Sequence, residues 1–142
     1  MEFNSNPKKY KKYHKVRYKG LIRFNQLIFG KFGLKVLKHL KLDTKTLIFF
    51  IKILKRFLKI YDKGIKIVFR VFPDFGVTNK PKDIRMGRGK GIVAYKVCNI
   101  RCGTIFLELI NVSNKRVAFK ALHLCMQKIG VPCKIIHFEC YD

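Results

Sequence analysis

Apolar positions along this chain recur with two different periods, and the switches between them outline its elements. Across Leu47–Ile60 the cations Lys52, Lys55, Arg56 and Lys59 return on one side, while Ile48, Phe50, Ile51, Ile53, Leu54, Phe57 and Leu58 cover the remainder. That spacing predicts one strongly apolar amphipathic helix, with Asp43 and Thr44 as N-cap candidates and a close near Asp62-Lys63-Gly64. The period then shortens to two. Ile65, Ile67, Phe69 and Val71 alternate with Lys66, Val68, Arg70 and Phe72, a strand with one core face that Pro73 and Asp74 end. Val93–Cys98 and Thr104–Ile110 read as two further strands, joined at Arg101-Cys102-Gly103 as a hairpin. Ser113 is placed to cap a second helix from Asn114 to Ile129, whose core stripe is Val117, Ala118, Ala121, Leu122, Cys125 and Ile129, with Gly130 as its stop. Cys133–Glu139 returns as a final strand, and Leu27–Lys35, broken by Gly30 and Gly33, is a strand or hairpin edge near the start.

The order is arm, strand, helix, strand, loop, hairpin, helix, strand. It predicts an α+β fold with two helices packed on a largely antiparallel sheet. Residues 1–20 form a basic N-terminal arm. Residues 21–142 form a single domain, within which 74–91, bearing Gly76, Pro81, Gly87, Gly89 and Gly91, is an extended functional loop.

Charge changes the picture most. Lys plus Arg outnumber Asp plus Glu by 32 to 8 in 142 residues, a formal net charge of +24. A free domain would repel itself at that charge, so a polyanionic partner is implied, with nucleic acid preferred to an anionic membrane surface. A hydrophobic content of 49% excludes a disordered basic tail. The skew toward Lys, Ile, Phe, Tyr and Asn, with alanine only at 94, 118 and 121, fits an A/T-rich genome such as an organelle's.

Two basic segments carry candidate chemistry. In residues 7–20, Tyr10, Tyr13, His14 and Tyr18 interleave with Lys8, Lys9, Lys11, Lys12, Lys15, Arg17 and Lys19. Rings beside cations suit RNA, where phosphates and unstacked bases lie close together, and the arm is expected to order on its partner; the plain alternative is a solvated tail. In Arg85-Met86-Gly87-Arg88-Gly89-Lys90-Gly91, three glycines alternate with cations, so backbone N–H groups and charge meet a phosphate chain with little steric shield. Nucleotide-loop spacings are absent and a strand follows, so the alternative here is a flexible solvated connector.

Other classes find little support. The eight carboxylates form no readable acid–base pair, and His14, His39, His123 and His137 sit in no nucleophile motif, so a non-enzyme without a small-molecule substrate is expected. Cys98, Cys102, Cys125, Cys133 and Cys140 are odd in number and irregularly spaced; reduced thiols are expected rather than disulfides. Zinc on Cys98 and Cys102 with His123 or Cys125 would need unusual spacing, so no metal or cofactor is expected. The Leu47–Ile60 run is shorter than the ~20 residues of a membrane span and is interrupted by cations, so no membrane insertion is expected, and the N-terminus carries no signal or transit pattern. A surface-lying membrane helix and a stand-alone RNA chaperone stand as rival functions.

With these residues laid out, the chain resembles the universal large-subunit ribosomal protein family L sixteen over nearly its whole length. The resemblance runs through Pro7-Lys8, His14-Lys15 and Lys19-Gly20, then Phe29-Gly30 with Gly33-Leu34-Lys35, then Arg70-Val71-Phe72-Pro73-Asp74 and Lys80-Pro81. Its most specific part is Arg85–Gly91, and Gly103, Glu108, Ala118, Ala121 and Leu122 follow in order. The resemblance implies a structural constituent of the large subunit that binds large-subunit rRNA through the arm residues, Lys35 and Arg70. It implies a loop, Arg85 to Gly91, pointing toward aminoacyl-tRNA and the peptidyl-transferase region, and neighbouring ribosomal proteins as further partners. Together with the codon skew it implies a mitochondrion-encoded protein of the mitochondrial matrix, with a plastid or an A/T-rich bacterium as the alternative source.

Overall fold

The computed structural model describes residue 10 and residues 12–23, 25–61 and 63–138. Among the described residues, seven strands and two helices follow in the order β1 (Phe32–Val36), β2 (Leu40–Asp43), α1 (Thr44–Tyr61), β3 (Lys66–Phe69), β4 (Phe75–Asn79), β5 (Ile92–Ile100), β6 (Ile105–Ile110), α2 (Lys115–Ile129) and β7 (Cys133–His137). This is an α+β fold, but its strands form two antiparallel sheets rather than one. The first has the order β3-β6-β1-β7 and the second β2-β5-β4.

Division into two sheets overturns the expected hairpin. β5 pairs with β2 and β4, while β6 pairs with β1 and β3, so consecutive strands leave the turn at 101–104 for different sheets. Other boundaries move as well: the strand expected through Phe72 is only Lys66–Phe69, and the one expected over Val93–Cys98 runs Ile92–Ile100. Phe75–Asn79 is strand β4, which removes it from the expected loop and leaves 80–91 outside regular structure. The strand expected over Leu27–Lys35 begins only at Phe32.

The helices follow their apolar stripes. α1 starts a turn before Leu47, buries Leu47, Phe50, Ile51, Leu54 and Leu58, and turns its cations outward. α2 buries Ala118, Ala121, Leu122 and Cys125; its N-cap is Asn114, not Ser113, because the Asn114 side-chain oxygen accepts the Arg116 N–H at 2.9 Å. The helices pack on each other, α1 also on β2 and β5, and α2 on β7 and β1. Phe32, Leu34, Val36, Leu107 and Leu109 meet them in one core. Small residues on α2 let the helix approach β1 closely, and burial of this many Leu, Ile and Phe side chains at about 1.5–3 kcal/mol each is what holds the layers together.

The opposite face of the first sheet is covered by chain with no regular structure. Gly33 is in register with Glu108 across β1–β6, so both point to this face. Leu27 lies so close over Gly33 that a Cβ there would come within 2.5 Å of its Cδ2. Residues 12–23 continue this strap, and the Ile22 N–H donates to the Cys102 carbonyl at 3.0 Å. Contrary to the expectation that the arm orders only on a partner, residues 12–20 are seated on the body, with Tyr13, Val16 and Tyr18 half-buried.

Candidate nucleic-acid interface

The strap and the glycine-rich loop come together. Lys12 donates through Nζ to the Lys90 carbonyl at 2.9 Å, and Lys90 donates through Nζ to the Tyr13 carbonyl. Two basic segments 77 residues apart are thus joined by reciprocal lysine-to-backbone bonds. Neither amine is neutralised, because a carbonyl accepts without cancelling charge. Lys12, His14, Lys15, Arg17 and Lys19 are exposed along the strap, and every residue from Pro81 to Lys90 is exposed.

The loop is shaped from inside. Lys80 donates to the Gly87 carbonyl at 2.7 Å, and the Ile84 N–H donates to Pro81 O at 3.3 Å. Gly87, Arg88 and Gly89 have φ of 107°, 54° and 81°, three consecutive residues in the left-handed region. Glycine relieves two of them and Arg88 bears the strain itself. Gly91 has a different reason. A Cβ there would run into the Asn79 carbonyl at the end of β4. At Gly87 and Gly89 a Cβ would meet open space, so the tip is set by backbone conformation and only the root by steric fit. Met86 is wholly exposed at the tip, and Arg85 and Arg88 stand beside it.

The rings of the strap divide. Tyr13 packs edge-on against Phe75 at 5.7 Å between centroids. Tyr18 stacks with His39, and the Arg101 guanidinium lies 4.5 Å from its ring centre. Tyr10 remains exposed. Lys8, Lys9 and Lys11 lie outside the described residues. Lys35 sits half-buried on β1 in the other sheet.

Arg70 has a partner within the chain, and sequence reasoning alone gave that partner no role. Glu108 is completely buried, and Arg70 Nη1 lies 2.8 Å from its Oε1. The same carboxylate accepts the backbone N–H groups of Ile28, Phe29 and Gly30 at 3.2, 2.7 and 3.0 Å. Arg70 Nη1 also donates to Gln26 O at 2.8 Å. One carboxylate thereby fixes the turn at 26–30, from which the strap leaves for the loop. The signal was present: a single acid inside the apolar run Ile105–Ile110 must find donors if that strand is buried.

Elsewhere the chemistry is quiet. Cys98, Cys102, Cys125 and Cys133 are free thiols. Burial, with Asp74 adding to it, pushes Cys98 up to about 12; burial and Cys133 push Cys125 up to about 12; burial pushes Cys133 up to about 11. Such thiols are poor metal ligands and poor nucleophiles. Among the described residues no three His, Cys, Asp or Glu side chains come together to hold a metal ion, and no helix is long and apolar enough to cross a membrane.

The chain is similar to known proteins over most of its length. Residues 5–136 match the family described as ribosomal protein L16p/L10e. The chain is 35% identical over 130 residues to the large ribosomal subunit protein uL16m of Acanthamoeba castellanii, covering 90% of this chain and 89% of that protein. It is 39% identical over 129 residues to the large ribosomal subunit protein uL16 of Psychrobacter arcticus, covering 90% and 91%. With uL16m of Prototheca wickerhamii it shares 33% over 136 residues, covering 94% and 97%.

Proposed function

Because the chain belongs to the ribosomal protein L16p/L10e family, whose members are structural and non-catalytic components of the translation machinery, we propose that its strap and loop act as one rRNA- and tRNA-facing surface. Family membership already gives the coarse role: a ribosomal structural protein whose partners are rRNA and neighbouring ribosomal proteins. The finer reading is that Lys12, Tyr13, His14, Lys15, Arg17 and Lys19, with Lys8, Lys9, Tyr10 and Lys11 ahead of them and Lys35 and Arg70 on the body, bind large-subunit rRNA. In the same reading the tip, Arg85 to Gly91, reaches the aminoacyl-tRNA entry path and the peptidyl-transferase region, supporting subunit assembly and tRNA positioning.

The observation that carries this reading is the reciprocal bonding of Lys12 and Lys90, which makes two cationic segments one continuous surface. Phosphate contacts by such a surface fix position, while a loop tip without packing partners is available to a second RNA. A mitochondrial matrix location is the preferred version, supported by the Lys/Ile/Phe skew and by the uL16m relatives; a plastid or bacterial source is the alternative that organelle fractionation decides.

The test places Arg85→Ala and Gly89→Val in large subunits and measures aminoacyl-tRNA binding and peptide-bond formation. Arg85→Ala is expected to cost about 1–3 kcal/mol if its guanidinium reads a base by two hydrogen bonds, and less for one phosphate contact. Arg85→Lys separates charge from the planar fork. Normal assembly and normal translation with both variants would reduce the loop to a solvated connector.

A further inference from the structure

Beside the joined lysines lies a cleft of about 460 Å³ between the strap and the second sheet. One wall is Tyr13–Val16; the floor is Lys41 and Asp43 of β2, Phe75–Thr78 of β4, and Tyr95, Val97 and Asn99 of β5. The proposed function uses cations at the rim of this cleft, Lys15 and Lys90, but not the space between the strap and the sheet. Its composition is unlike a structural void.

Tyr95 lines it while 45% exposed, so its ring is open to a partner, whereas the neighbouring Tyr13 ring is committed to Phe75. Lys15, Lys41 and Lys90 stand around it, a cationic rim complementary to phosphates. Two acceptors belong to its lining: Asp43, exposed at its edge, and Asn99, whose buried Oδ1 has no hydrogen-bond partner among the described residues. A flat ring, cations and acceptors in one cleft match the three parts of a ribonucleotide, which are a π-face, a phosphate, and amine or hydroxyl donors on the base and ribose.

We propose that this cleft holds one unstacked nucleotide of the bound rRNA, its base stacked on Tyr95, its flanking phosphates on Lys15, Lys41 and Lys90, and a base amine or the ribose 2′-hydroxyl donating to Asp43. The site rests on the rRNA-binding reading above and specifies a contact at the base of the loop, through Lys90, that does not involve Arg85 or Arg88. It also gives the strap a second use, since Tyr13–Val16 forms the wall that closes the nucleotide in.

The test uses the full-length chain and a large-subunit rRNA transcript, with affinity measured at physiological salt for wild type, Tyr95→Ala, Tyr95→Phe and Arg85→Ala. Tyr95→Ala is expected to weaken binding about five- to a hundredfold, and Tyr95→Phe, which keeps the π-face, to restore it nearly fully. Ultraviolet cross-linking of the unaltered protein in assembled subunits is expected to join a single nucleotide to the peptide containing Tyr95, a readout independent of variant folding. Unchanged affinity for Tyr95→Ala together with no cross-link in residues 13–16 or 92–99 overturns the cleft. If Arg85→Ala in assembled large subunits still perturbs aminoacyl-tRNA binding, the loop reading survives that result. Equal affinity of the wild-type chain for unrelated RNAs overturns both readings and favours a general RNA chaperone.

Discussion

Replacing Glu108 by Gln keeps the shape of the buried side chain and removes its charge. Two interactions set the magnitude. Nη1 of Arg70 is 2.8 Å from Oε1, a separation at which opposite charges attract by about 6 kcal/mol at an effective dielectric of 20, before desolvation is subtracted. Glutamine keeps one oxygen for the Ile28, Phe29 and Gly30 N–H groups, but its NH₂ must then face the Arg70 guanidinium, donor against donor. Arg70 is 18% exposed, so water relieves only part of this. Breaking a buried pair from one side costs about 3–5 kcal/mol, and with the N–H bonds retained the lower end applies, about 3 kcal/mol or a Tm lowered by roughly 10 °C. Glu108→Ala, which also orphans the three N–H groups, should cost more. Urea unfolding of the full chain gives the size of the effect, and hydrogen exchange at Ile28, Phe29 and Gly30 locates it. A Gln variant destabilised by less than about 1 kcal/mol, with exchange at those amides unchanged, refutes the assignment of Glu108 as the fastener of the strap.

Gly91→Ala should displace the loop root, because its Cβ would strike the Asn79 carbonyl, costing about 1–3 kcal/mol in thermal melts; Gly89→Ala meets open space and should cost only the roughly 1–2 kcal/mol of a left-handed residue. Folding should weaken in alkali: the unfolded thiols of Cys98, Cys125 and Cys133 ionise near 9.0 while the folded ones stay protonated to about 11 or 12. The contribution of these thiols is therefore level below pH 9 and falls above it by up to about 1.4 kcal/mol per pH unit for each, a slope that Cys125→Ala should lessen in urea titrations at pH 8 and 10. Deleting residues 1–20 should lower the salt slope of rRNA binding by roughly 0.7–0.9 for each phosphate that the strap neutralises, and should speed exchange of the loop amides that Lys12 helps hold; an unchanged slope marks the strap as idle.

What the sequence made legible was whatever local periodicity decides. α1 and α2, β7, and the outward cations of α1 follow from spacing within one element. β2 escapes such reading because Leu40–Asp43 is four residues long, and β4 because Gly76 and the preceding Pro73 read as loop chemistry. The separation of β5 from β6 is not legible either. A three-residue turn with glycine is compatible with a hairpin, and only the non-local partners β2, β4, β1 and β3 decide otherwise. Within the candidate site, the cations are visible by composition, but their joining is not, since Lys12 and Lys90 bond to main-chain oxygens that no residue type advertises. Nothing in the residues around Tyr95 marks it as the floor of a cleft; that cleft is made by strand pairing and by the path of the strap.

The reciprocal lysine bonds have a consequence for inheritance. Both acceptors are peptide carbonyls, so the fastening is indifferent to which side chain stands at residue 13, and at residue 90 it asks only for an amine. A coding sequence drifting toward A and T gains lysine and sheds alanine, tryptophan and arginine. Most devices that join distant segments, such as matched ion pairs or interdigitated rings, require two compatible side chains and decay when one is rewritten. This one requires only the residue that such drift supplies in excess, so the surface can persist while much of the sequence around it is exchanged.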